Sequence, residues 1–221
     1  MKNRSETGQS QRQPNRQRRK TRSALLEAGQ HLFAQRAVEG VTVDDIVAKA
    51  DVAKGSFYNH FDDKNAFADE IFEDIGRELE LLIAQNNEAV GDPALRVSRA
   101  LCTVLQYARE NPDRTQALLS LGDRRASPVS PLNDGLSADV GAGLSTKRFS
   151  QVGSECAILS VVGLIAVTVR HVLSDAPLPD PVELASAMSA ALLRVLGIPA
   201  DEATILGIES ASAIVASGAR C

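Results

Sequence analysis

An all-α fold is the class the sequence predicts, on three observations. Apolar residues recur three and four apart, as in Val43, Ile46, Val47 and Ala50, or Leu101, Val104, Leu105 and Ala108. Helix-start signals precede such runs. The clearest is Asp180-Pro181-Val182-Glu183: an N-cap, a proline at the first position and an acid three residues after the cap. Helix breakers then end them, as Gly91-Asp92-Pro93 and Gly197 with Pro199 do.

Composition sets the frame for these elements. A chain of 221 residues is long enough for one or two small domains with a real core. Aromatics make up only 4% and Trp is absent, so that core is built mainly of Leu, Val, Ile and Ala. The net charge of −4 hides an asymmetry. Up to Arg22 the cations are Lys2, Arg4, Arg12, Arg16, Arg18, Arg19, Lys20 and Arg22, against the single anion Glu6. A basic end on an acidic body can point one end at a polyanion, although a basic tail that only aids solubility has the same composition. Cys102, Cys156 and Cys221 stand at no metal-ligand spacing, and the chain carries no secretory apolar stretch. Both features predict a reducing cytoplasm. Cys102 and Cys156 fall inside apolar helical patterns and are expected to be small core residues.

Taken in order, residues 1–19 are polar and predict a disordered basic arm. A first helix is expected from about Lys20 to Arg36, burying Leu25, Ala28, Leu32 and Phe33, with His31 off that stripe and solvated. Thr42 is a suitable N-cap for the next helix, with Asp44 and Asp45 in its first turn, where the helix dipole favours acids. Asp51 and Val52 make a turn, and Lys54 to Phe61 form a second short helix with Phe57 and Phe61 on one face. Opposite them stand Lys54, Ser56, Tyr58, Asn59 and His60, a face of donors, a phenol and a cation without a carboxylate. Such a face suits phosphates and base edges.

A polar turn at 62–65 leads into a long helix to about Asn87, with Phe67, Ile71, Phe72, Ile75, Leu79 and Leu82 as its apolar line. Further helices are expected from Asp92-Pro93 to about Asn111, from Pro112 through Leu121, and weakly from Leu132 to Leu144, after a loop at 122–131. Between Glu155 and Arg170 lie 14 uncharged residues. A bilayer crossing needs about 20, so a buried helix at about 150–174 is expected and no membrane partner. The helix after Asp180, at 180–197, is apolar on more than one side. Leu184, Met188, Ala191 and Val195 line one side, and Ala185, Leu192 and Leu196 broaden it.

The stretch from Thr42 to Lys64 resembles the helix-turn-helix of the tetracycline-repressor (TetR) family of transcriptional regulators. Thr42, Ile46, Ala50, Val52, Lys54, Gly55, Ser56, Phe57, Tyr58, His60, Phe61 and Lys64 carry the resemblance. Ala37, Asp51 and Ala53 depart from it, standing where the family has glycine, the turn glycine and a capping serine. The resemblance implies a three-helix DNA-binding domain at 20–64, with its motif at about 42–61. It also implies a C-terminal helical ligand-binding and dimerisation domain at 65–221. By the same resemblance Ser56, Tyr58, His60 and Lys64 hold phosphates, and Lys54, Gly55 and Asn59 address base edges. Thr42 adds a phosphate bond in competition with its cap role. Arg18, Arg19, Lys20 and Arg22 add backbone or minor-groove contacts, with Arg12 and Arg16 less specific. The helices at 150–174 and 180–197 are assigned to a homodimer contact. Leu101, Val104, Leu105 and Leu118 are expected among the walls of a largely apolar effector pocket.

The function implied is a ligand-responsive homodimeric repressor of a near-palindromic double-stranded DNA operator, without catalytic residues, cofactor or metal. An architectural DNA binder without an effector stays open, supported by the basic arm. An enzyme is disfavoured, because His31, His60 and His171 lie on separate segments and no phosphate-cradling glycine loop occurs.

Overall fold

A computed structural model of the chain describes residues 12–122, 134–150 and 153–218. Among these residues the structure is helical, with no strand. The helices are α1 (Arg12–Gln35), α2 (Val43–Lys49), α3 (Lys54–Tyr58), α4 (Lys64–Asn86), α5 (Pro93–Glu110), α6 (Pro112–Gly122), α7 (Asp134–Ser145), α8 (Ser154–Val172), α9 (Pro181–Val195) and α10 (Ala200–Gly218). A 3₁₀ turn, Val38–Gly40, joins α1 to α2.

The expected starts and stops are built from the expected chemistry. Asp92 caps α5 through Ala94 N at 3.0 Å with Pro93 at the first position. Asp180 caps α9 through Val182 N and Glu183 N. At the other end of α9, Gly197 takes φ +88°, where a side chain would meet the Ser150 backbone. The loop expected at 122–131 lies almost entirely outside the described residues.

The expectation that residues 1–19 are disordered is corrected over its second half: α1 begins at Arg12, not near Lys20. Leu25, Ala28, Leu32 and Phe33 anchor the helix. Once a helix is nucleated, propagation through Gln, Arg and Lys is cheap, and Pro14 lies in the first turn, where no intrahelical acceptor is lost.

Two layers follow. α1 to α3 pack around an aromatic cluster with the start of α4, and α5, α9 and α10 form the heart of the C-terminal part. Ser98, Cys102, Ser189 and Ser210 are buried where these last three helices meet. Ser98 Oγ donates to Ser210 Oγ at 2.7 Å, and Cys102 Sγ lies 3.4 Å from Ser189 Oγ. Burial pushes the Cys102 thiol up to about 11, so it is a packed thiol and not a thiolate. Arg148 clamps the edge of this unit, donating from Nε and Nη2 to both oxygens of Asp92 and from Nη2 to Glu202 at 2.6 Å.

α6 joins the two layers. Arg114 donates to Gln30 Oε1 on α1 at 3.1 Å and to the Tyr107 hydroxyl on α5 at 3.0 Å, and it pairs with Asp74 and Glu78 on α4. Beside it His31 Nδ1 lies 3.0 Å from Asp113 Oδ2 and its Nε2 lies 3.0 Å from Gln35 Nε2. His31 therefore links α1 to α6 while its side chain stays 37% exposed, as its place off the buried stripe predicts.

Two expectations about α8 are also corrected. Cys156 is exposed, so it is not a core residue. The helix itself is not buried within one chain: by length and composition it is apolar enough to cross a membrane, yet only 22% of its most apolar stretch is covered. Ala157, Val161, Thr168 and Val169 pack inward, whereas Leu159 is 46% and Val167 66% exposed. The sequence shows a run without charge between Glu155 and Arg170, and only the packing shows which stripe the chain itself covers.

Candidate nucleic-acid interface

The turn between α2 and α3 is built by three local devices. Thr42 and Asp45 close a capping box: Asp45 N donates to Thr42 Oγ1 at 3.1 Å, and Thr42 N donates to Asp45 Oδ2 at 2.9 Å. The bonds donated by the Thr42 amide and then by its hydroxyl hold the Asp45 carboxyl below the usual carboxylate range. Asp51 takes φ +53°, the left-handed conformation that Asp tolerates better than most residues. Ala53 is the N-cap of α3 and offers no side-chain bond to it. α3 is shorter than expected, ending at Tyr58, but the amides of His60 and Phe61 still donate to the Phe57 carbonyl.

What seats α3 is aromatic. Phe57 is fully buried, with its ring 5.3 Å from Phe67 and 5.4 Å from Phe61. Phe61 and Phe67 are 4.7 Å apart edge to face, and Phe33 of α1 closes the group at 6.1 Å from Phe67. Burial of each such ring is worth about 1.5–3 kcal/mol. Gly29 makes the fit possible: a Cβ there would lie 2.4 Å from the Phe67 ring. Periodicity does not single out Gly29, because its requirement comes from α4.

The opposite face of α3 is open. Lys54, Gly55, Tyr58 and Asn59 are exposed, and Ser56, His60 and Lys64 are half-buried. A side chain at position 55 would meet nothing within 4 Å, so the fold itself does not demand glycine there. Arg16, Arg18, Arg19 and Lys20 are all exposed on the first turns of α1. Burial first, then the charges of Arg18 and Arg22, hold His60 below its ordinary value.

Three candidate residues, Lys64, Arg22 and Lys54, have partners that spacing did not suggest, and Thr42 is engaged in its cap role. Lys64 Nζ donates to the carbonyls of Val38 and Val41. Two of its three donors thus hold the 3₁₀ turn. Arg22 pairs with Glu70 and lies 5.6 Å from the Phe61 ring centroid. The Thr42 hydroxyl is engaged with Asp45 at 2.9 Å. Lys54 Nζ lies 2.8 Å from Asp44 Oδ1 and 3.1 Å from Oδ2. The expectation of a face without a carboxylate is corrected by this last pair, since Asp44 reaches that face from α2. Hydrogen bonding and attraction to Asp44 raise the Lys54 pKa. Asp44 and Lys54 are ten positions apart across a turn, where no helical or strand period relates them.

The proposed pocket residues lie elsewhere. Leu101, Val104 and Leu105 are buried on α5, and Leu118 is half-buried on α6. Among the described residues no three His, Cys, Asp or Glu side chains converge as a metal site.

Two short helices at a left-handed turn, one locked by aromatics and presenting donors outward, define a helix-turn-helix protein. Residues 25–71 match the family model described as bacterial regulatory proteins, tetR family. It is 39% identical over 75 residues to the HTH-type transcriptional repressor DhaR of Mycobacterium sp. (strain GP1), a match covering 34% of this chain and 38% of that protein. The chain thus spans well under half the length of this curated relative. Among solved structures it resembles a tetR family transcription regulator from Shewanella sp. PV-4. The TM-score is 0.69 at 17% identity, covering 80% of this chain and 97% of that one. It also resembles a gamma-butyrolactone receptor, with a TM-score of 0.67 at 19% identity, covering 90% and 99%. These two likenesses establish the fold over both parts of the chain.

Proposed function

We propose that the chain is a homodimeric, ligand-responsive transcriptional repressor that reads a near-palindromic operator. The observation that carries this reading is the division of α3. Its inner face is locked by Phe57, while its outer face presents Lys54, Tyr58 and Asn59 around an unfilled space at Gly55. Glycine kept where the fold has room for a side chain suits a backbone that must approach a second molecule closely. Lys54 and Asn59 then address base edges, and Ser56, Tyr58 and His60 address phosphates. Arg18, Arg19 and Lys20 extend the positive surface along α1, with Arg16 beyond them. Lys64 and Arg22 serve the interface by holding its parts in place, with any phosphate contact secondary.

The DNA-binding unit is proposed at 20–64 and the ligand-binding and dimerisation unit at 65–221. The uncovered stripe of α8, Cys156, Leu159, Gly163 and Val167, has a counterpart on α9 in Leu184, Met188, Ala191 and Val195. Two apolar stripes with a two-fold between them supply a self-complementary contact. Such a dimer spaces its reading helices about 34 Å apart, one turn of DNA. The relative DhaR is a repressor, and one structural neighbour is a receptor for a gamma-butyrolactone. An apolar small molecule near Leu101, Val104, Leu105 and Leu118 is the effector class this supports. It acts by binding better to a dimer whose heads no longer match the groove.

Selection of duplexes from a random pool tests the reading. Enriched fragments should carry inverted half-sites about one helical turn apart. Tyr58→Ala with Asn59→Ala should abolish retardation while leaving thermal unfolding unchanged, and Val167→Glu should convert the dimer to a monomer in sedimentation. Enrichment of nothing, or undiminished retardation by the double variant, ends the proposal.

A further inference from the structure

We propose that Asp44 is a positioning residue that sets DNA selectivity by holding Lys54 away from phosphates that lie off the correct site. This rests on the DNA-binding reading above.

The pair sits on the open face, not behind it: the Asp44 side chain is 71% and that of Lys54 56% exposed. Asp44 is not needed to cap α2, because Asp45 closes the capping box with Thr42. Its carboxylate instead reaches across the turn, with both oxygens within 3.1 Å of Lys54 Nζ. A carboxylate is an odd neighbour for a phosphate-seeking surface, since each phosphate repels it. Its effect differs between the two modes of binding. On arbitrary DNA a free lysine neutralises a phosphate and releases counterions, contributing about 0.9 to the log–log salt slope. A lysine already neutralised by Asp44 releases fewer, so that mode is weakened.

At a matching base the outcome is different. The ammonium has three donors and can keep Asp44 while donating to guanine O6 or N7. Asp44 then fixes where Lys54 points, and the base contact survives. Selectivity is a difference of affinities, so weakening the wrong complex raises it as surely as strengthening the right one. The coupling runs through a side chain on the first helix of the motif, which itself makes no base contact.

The test compares the wild type with Asp44→Asn on two duplexes: the one most enriched from a random pool by the wild-type chain, and a shuffled duplex of equal composition. Asp44→Asn should tighten shuffled binding roughly three- to tenfold and steepen its salt slope by about 0.9. Binding to the enriched duplex should change by less than about twofold, so that the ratio of the two falls. Asp44→Glu, which keeps the charge, should restore wild-type behaviour. In a Lys54→Met background the slope change on Asp44→Asn should vanish. Equal tightening on both duplexes, no change on either, or the same slope change without Lys54 overturns the proposal. Failure of the wild type to enrich any duplex overturns the DNA-binding reading instead, and the two failures are therefore distinct. Thermal unfolding of each variant separates a lost fold from a lost contact.

Discussion

Lys64 Nζ donates to the carbonyl of Val41 at 2.7 Å, and the Val38 carbonyl accepts a second bond from it at 2.8 Å. A lysine at the first position of α4 thus closes the 3₁₀ turn that delivers the chain to the Thr42 cap. Lys64→Met takes the side-chain donor from both carbonyls, leaving Val38's with only the Val41 amide, and should lower stability by about 1–3 kcal/mol. Chemical denaturation measures this, and an unchanged midpoint would show the clamp to be idle. Any loss of DNA affinity in this variant should accompany the loss of stability, since both follow from a displaced α2.

His60 gives the fold a pH dependence whose sign is set by its environment. Its folded-state pKa lies below 6.5, chiefly through burial and then through Arg18 and Arg22. Above the unfolded value both states are neutral and the contribution to stability is complete. As the pH falls through 6.5 and on through the lower folded value, the unfolded chain takes the proton first and stability declines. Denaturation midpoints measured from about pH 7.5 to 5 should show this loss, and His60→Gln should flatten it. On the DNA-binding reading, a phosphate beside the imidazole reverses the preference, so binding near pH 6 should take up a proton.

Asp51 holds φ +53° without being glycine. Asp51→Gly should raise the melting temperature, a gain of about 0.5–1 kcal/mol, and Asp51→Val should lower stability by about 1–2 kcal/mol. Two residues on, Ala53→Ser supplies the missing cap of α3 and should add about 1 kcal/mol. Calorimetry on the three single variants checks both signs, and a destabilised Asp51→Gly would contradict the assigned turn.

Arg114 joins α6 to Gln30, Asp74, Glu78 and Tyr107. Arg114→Met should cost about 1–3 kcal/mol. It should also loosen the N-terminal layer from the C-terminal one, so that heat unfolding separates into two transitions. A single transition at the wild-type temperature would show that the aromatic and aliphatic contacts alone unite the layers.

How legible each part was depends on the range of the interaction behind it. Asp92, Thr42 and Asp180 were readable as caps because a cap bonds amides two or three residues away. The inward faces of α2, α3, α4 and α9 were readable because burial repeats with the helical turn. The left-handed turn at Asp51 and the uncapped α3 behind Ala53 were legible as departures at known places in a local motif. The first turns of α1 were not, since their composition offers nothing to bury and the helix is propagated from Leu25 onward. The exposure of His31 was legible, but its partner was not, because Asp113 stands 82 positions away.

The sequence by itself determined a helical chain with a helix-turn-helix near its N-terminus and a cationic end, because capping, periodicity and turn chemistry act over a few residues. Only the tertiary structure decided the rest: which cations are engaged and by what, that Gly29 must be small, that Cys156 faces outward, and which stripe of α8 the chain leaves uncovered. Those outcomes depend on helices meeting across tens of residues, where the partner of a charge or an apolar face is set by packing and not by the spacing of its own segment.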